Sequence, residues 1–296
     1  MGSAKVRAGK IVAGQTMVSI AYPSMKQTLA DLFIDAAISL PASLQSIPLQ
    51  AEARAGTFVS AVALQLASQQ SAAEVAQALL AAVPVTQGLK LWVKAPAWIY
   101  GQFSADAIAT HLQQLTAFPP RLPLPSPAAL DASFSDPLLF PVQYAHARCC
   151  SLLCLAQREG LIDLRAGEQR FPTISTPISW CTAQDQLRLQ HPAEQTLIRS
   201  LLDFPGALQT PKQVWRSDQW PGVPLPWPLV HQRLVRYTQQ WGEDFLHFYR
   251  DCRIFGEVSQ QNRALSQARL GLIATTQRVL AFLLQDLLHL MAPEEL

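Results

Sequence analysis

The chain has 296 residues, 49% of them hydrophobic and 15% charged, enough apolar surface for two packed cores of ordinary domain size. Its formal charge is +2, and dividing it near position 137 leaves about +1 on each side, which excludes a strong basic field over either half. Any contact with nucleic acid must therefore be a local patch.

Residues 1–24 fit no motif and no periodicity and read as a flexible extension. Lys5, Arg7 and Lys10 precede a stretch broken by Gly14, Gln15 and Thr16, so no secretory leader is expected. Leu29, Leu32, Phe33 and Ala36 then recur at helical spacing, and two further helices are predicted over Phe58 to Ser68 and Ala72 to Ala82. Ile47 to Glu52 contains Pro48, which cannot donate to a ladder and so points to an edge strand. Leu89 to Lys94 and Trp98 to Phe103 read as strands, and a helix follows from about Ala105 to Leu115. These elements make an α+β domain over 25–117.

Residues 118–136 are dense in proline (Pro119, Pro120, Pro123, Pro125 and Pro127), a composition that stays extended because proline fixes φ and lacks an N–H. They read as a linker between domains. From 137 to 296 the pattern is helical. Asp136 is placed to cap a helix beginning at Pro137, with Gly160 as its stop. Pro192 opens a helix whose Leu197, Ile198, Leu201 and Leu202 share a face, with Phe204-Pro205-Gly206 as its end. A longer helix carries Leu234, Trp241, Phe245 and Phe248, and the last runs from about Ser266 to Met291, closed by Pro293. The second half reads as an all-α bundle.

Cys149, Cys150, Cys154, Cys181 and Cys252 are odd in number and form no CxxC pair, which suits a reducing compartment such as the cytoplasm. No stretch approaches the roughly 18–20 uninterrupted apolar residues of a membrane span, so no membrane insertion is expected. His146, Cys150 and Cys154 lie at helical spacing that a soft metal would accept. Helical cysteines pack more often as small apolar residues, and no metal is assigned. Trp215, Trp220 and Trp227 flank a proline-rich loop, where they either stack bases or, the commoner case, pin the loop to the bundle.

Four segments go beyond architecture. Gln143-Tyr144-Ala145-His146-Ala147-Arg148, then Glu194 to Pro205 (EQTLIRSLLDFP), then Trp241 to Arg250 with its Phe248-Tyr249 pair, then Ala268-Arg269-Leu270 through Ala292-Pro293-Glu294 occur in that order. Together they resemble the DALR anticodon-binding domain of arginyl-tRNA synthetases. In the first half, Ala55-Gly56-Thr57-Phe58 before Val62 to Ala67, and Ala95 to Ser104 (APAWIYGQFS), are similar to the N-terminal additional domain of the same family. Thr57 stands where that family has Asp, and Tyr100 where it often has Asn.

The resemblance implies an α+β N-terminal domain joined by a Pro-rich linker to an all-α DALR-type bundle. It also implies binding of tRNA, arginine tRNA by its anticodon stem-loop, through Tyr144, Arg148, Phe248, Tyr249 and Leu296. Two positions depart from the pattern: Pro141 replaces an aromatic, and Glu295 replaces a cation near the final Leu296. Between the two ends the family places a catalytic domain of a few hundred residues, whereas about twenty stand here. Neither a HIGH-like nor a KMSK-like motif occurs, and no Gly-rich phosphate loop takes their place. The expectation is a non-catalytic paralogue with no cofactor and no use of ATP. Low charge and a single lysine, Lys212, in the helical half leave a second reading open, a protein–protein adaptor or assembly factor built on a retired synthetase scaffold.

Overall fold

The computed structural model describes residues 24–37, 47–67, 71–116, 138–165, 171–214 and 227–296, with backbone only at 205–214 and 227–231. The expected extension and linker, the Asp136-Pro137 cap, Trp215, Trp220 and the side chain of Trp227 lie outside the described residues. The chain divides into two compact units, Met1–Ile108 with Leu202–Gln219 and Ala109–Leu201 with Trp220–Leu296.

The first unit is built on a four-stranded antiparallel sheet in the order β1-β2-β4-β3, from β1 (Leu49–Ala51), β2 (Thr57–Ser60), β3 (Leu89–Lys94) and β4 (Trp98–Phe103). Strand β1 is an edge, and Pro48 stands just before it, where no ladder donor is needed. Along β4, Ile99, Gly101 and Phe103 are buried while Trp98, Tyr100 and Gln102 are half-buried, the period-2 alternation of a strand with one face on a core. Helix α1 (Met25–Ala37) covers the buried face: a Cβ added at Gly101 would meet Leu29 Cδ2 at 2.8 Å. Helix α3 (Ala72–Ala82) starts on a reciprocal cap in which Ser71 accepts from the Glu74 N–H and Glu74 from the Ser71 N–H. Helix α4 (Ala105–Leu115) follows β4 directly.

One predicted helix is corrected. Thr57–Ser60 is strand β2, and only Val62–Leu66 is helical (α2). All four residues of β2 are buried between two neighbouring strands, so the run shows no alternation by which a strand is told from a buried helix.

The second unit is mainly helical. Helix α5 (Phe140–Arg158) packs against both α7 (Trp227–Asp251) and, after the short α8 (Glu257–Gln261), α9 (Arg263–Ala281), and is the central element. Its approach to α7 is close: a Cβ added at Gly242 would sit 3.2 Å from the Val142 Cα, so a larger residue there would require the two helices to give by a few tenths of an ångström. Gly160, at φ +65°, takes the left-handed turn that ends α5, as expected. Helix α6 (Pro192–Val214) begins at the predicted proline but runs beyond the predicted stop at Phe204-Pro205-Gly206: Pro205 lacks the N–H of one rung, yet its fixed φ is close to the helical value. Leu197, Ile198 and Leu201 anchor the part of it that lies in this unit, each fully buried.

Two further differences concern regularity. The unit is not all-α, for a two-stranded sheet of β5 (Leu164–Arg165) and β6 (Thr173–Ile174) follows Gly160. The last helix does not reach Met291: α9 widens into a π-helical turn at Phe282–Leu287, whose Leu288 N–H donates to the Leu283 carbonyl. Met291 therefore emerges in the terminal segment, 47% exposed.

Candidate nucleic-acid interface

Residues four apart on a helix share a face, so Phe140, Tyr144 and Arg148 form one stripe along α5. The two rings are 53% and 42% exposed, and neither pairs with another ring among the described residues. Tyr144 is thus open at the surface. Arg148 is half-buried and engaged: its Nη2 donates to the Tyr249 hydroxyl, and its guanidinium carbon lies 4.8 Å from the Tyr249 ring centroid. Tyr249 in turn stacks on Phe245 at 6.3 Å with the rings 8° apart.

The other two predicted contacts separate. Leu296 is 66% exposed. Phe248 is fully buried, at 0%, and packs beside Phe245 at 6.3 Å, so it belongs to the core and offers no face to a base. Pro141 occupies the first turn of α5, where a missing N–H costs nothing.

The terminal segment is fastened to the same helix. Gln143 Nε2 donates to the Met291 carbonyl at 3.0 Å, and His146 Nδ1 lies 2.7 Å from the Pro293 carbonyl. Glu294 and Glu295 beyond are exposed. Phe140 and Met291 are exposed as Tyr144 is, and sequence reasoning assigned neither. Phe140 was visible as an aromatic one turn before Tyr144; Met291 was hidden by its assignment to a helix.

Buried chemistry nearby is structural. Burial pushes the Cys149 thiol well up and that of Cys150 up to about 11, and Gln277 Nε2 lies 3.0 Å from Cys150 Sγ. A metal binds the thiolate, which this environment disfavours. Among the described residues no group of three or more His, Cys, Asp or Glu is arranged around a metal position. Glu194, 1% exposed at its side chain, pairs with Arg269 at 2.6 Å and also accepts the His191 N–H at 2.8 Å. Ser200 Oγ donates to Asp244 Oδ2 at 2.7 Å.

These bonds connect the four signature segments to one another: the first to the fourth through Gln143 and His146, the first to the third through Arg148 and Tyr249. Ser200 and Asp244 join the second to the third, and Glu194 and Arg269 join the second to the fourth. The model of the DALR anticodon binding domain matches residues 142–296, more than half of the chain. The chain belongs to the DALR anticodon-binding domain family.

Curated relatives agree over the same share of the chain. It is 30% identical over 168 residues to an arginine–tRNA ligase of Synechococcus sp., covering 57% of this chain and 24% of that protein. With the arginine–tRNA ligase of Frankia alni it is 33% identical over 162 residues, 55% of this chain and 24% of the relative. With that of Gloeobacter violaceus the figures are 32% over 154 residues, 52% and 21%. The chain therefore spans about a quarter of the length of these ligases, and the matched share is of the size of the DALR domain. No solved structure matches it significantly. Among the described residues no helix is long and apolar enough to cross a membrane.

Proposed function

We propose that this protein binds tRNA, arginine tRNA by its anticodon stem-loop, and that these 296 residues do not activate arginine. The observation that carries the reading is an open aromatic ring, Tyr144, on the central helix of a DALR domain. An unstacked base of a loop needs an aromatic face, and Tyr144 offers one. Arg148 and Tyr249 stand beside it as a preformed pair: guanidinium has five donors, so bonding to one hydroxyl leaves others for a phosphate. Leu296 adds an apolar contact at the end of the terminal segment. The lack of HIGH-like and KMSK-like motifs supports a binding or regulatory role without ATP or cofactor, and the odd number of cysteines without CxxC pairs suits the cytoplasm.

Binding of arginine tRNA and of total tRNA is measured for the wild type and for Tyr144→Ala at two salt concentrations, with circular dichroism to confirm folding. The wild type is expected to bind, and loss of the ring to cost about 1–3 kcal/mol. Wild-type affinity no greater than that of a neutral control protein overturns the proposal.

A further inference from the structure

Phe140 has no assigned part in binding, yet with Leu138 at 63% it is among the most exposed large apolar residues of the helical unit. A residue of that size, more than half open at the start of the central helix, serves no core. It stands four residues before Tyr144, about 6 Å along the axis on the same face, since a helix rises about 1.5 Å per residue. Bases stacked in a duplex follow one another every 3.4 Å or so, a shorter step than the helical turn that separates positions 140 and 144. Rings at those two positions fit bases that have been pulled out of the stack. Met291 is 47% exposed and its backbone carbonyl is bonded to Gln143, which brings a second apolar residue with a soft, polarisable side chain to the same helix.

The charges around this surface argue about which part of a nucleic acid it meets. Leu138, Phe140, Tyr144 and Met291 carry no cation, and the carboxylates of Glu294 and Glu295 are exposed just beyond Met291. A phosphate would be repelled by them, whereas the π-face of a base is neutral. The one cation of the Phe140–Tyr144–Arg148 stripe is Arg148, one turn past Tyr144, so beside its bond to Tyr249 it can supply a single phosphate contact at most.

We propose that Phe140 is a second base-stacking residue, forming with Tyr144 and Met291 an apolar platform for unstacked loop bases, and that bases rather than phosphates dominate recognition at this site. The proposal rests on the tRNA-binding reading above and adds to it a residue and a mode.

The test compares tRNA binding by the full chain in the wild type, Phe140→Ala, Phe140→Leu and Phe140→Tyr, at two salt concentrations, with gel filtration of each. Expected are a loss of about 5- to 150-fold for Phe140→Ala, a loss nearly as large for Phe140→Leu, which keeps bulk but no π-face, and near-wild-type binding for Phe140→Tyr. The salt dependence should be shallow and alike in all four. Should Phe140→Ala fail to fold, the leucine and tyrosine variants decide the matter alone. If the wild type binds tRNA and loss of Tyr144 weakens it while Phe140→Leu binds as tightly as the wild type, the platform is refuted and the tRNA reading survives. If the wild type binds no tRNA, both fall. If the wild type is dimeric and Phe140→Ala monomeric, the patch is an interface between copies, and the proposal is wrong.

Discussion

Replacing Glu194 by alanine tests what holds the DALR unit together. Its side chain is 1% exposed and that of its partner Arg269 11%, with 2.6 Å between Oε1 and Nε. The other carboxylate oxygen accepts the His191 N–H where α6 begins. Removing one member of a buried ion pair costs about 3–5 kcal/mol, because the remaining charge stays desolvated. Here the cost should fall near 3 kcal/mol, since Arg269 keeps slight exposure and a bond from Nη1 to the Arg253 carbonyl. For a unit of this size each kcal/mol lowers Tm by about 2–4 °C, so a fall of about 6–12 °C is expected by calorimetry. Replacing both partners together, Glu194→Leu with Arg269→Met, should recover much of that loss, because no orphaned charge remains. A fall of less than about 2 °C for Glu194→Ala, or a double variant less stable than the single one, would refute the reasoning.

Two further outcomes follow from other parts of the molecule. His111 is buried, and desolvation lowers its pKa from 6.5 to about 4. The unfolded chain then binds more protons than the folded one between those values, so this contribution is complete above about pH 6.5 and is lost as pH falls toward 4, by about 3 kcal/mol at most. Urea midpoints between pH 4.5 and 7.5 should fall on the acid side for the wild type and much less for His111→Phe; parallel curves would exclude His111 as the cause. The purified chain should exchange no pyrophosphate into ATP in the presence of arginine, and exchange above a no-protein blank would overturn the non-catalytic reading.

Where local chemistry was decisive, the sequence could be read to the residue. The strands Leu89–Lys94 and Trp98–Phe103 and the helices Ala72–Ala82 and Ala105–Leu115 stand at their predicted bounds. Ser71 and Glu74 cap one helix reciprocally, and β4 alternates between core and surface. Strand β2 was not legible because being buried on both faces erases alternation, and β5 and β6 are too short to carry a pattern. The candidate site was half legible. Phe248 and Tyr249 are adjacent aromatics, and which of them faces inward depends on where α7 meets its neighbours, which helical spacing cannot fix.

The same distinction explains what the family signature is. Four segments spread over some 150 residues resemble one family, yet among their described aromatics only Tyr144 is exposed, at 42%. Their polar residues pair across the unit: Arg148 with Tyr249, Ser200 with Asp244, Glu194 with Arg269, and Gln143 and His146 with the terminal segment. A signature made of long-range polar ties records a fold, because each tie constrains two residue types at once and a lone change orphans a buried partner. Surface chemistry is free of that constraint. An aromatic can therefore stand at Phe140 with Pro141 behind it, and anions at Glu294 and Glu295, while every tie beneath them stays in place. The fold can be read from the ties, and the proposed ligand contact rests instead on exposed side chains, Phe140, Tyr144 and Met291, that no tie constrains.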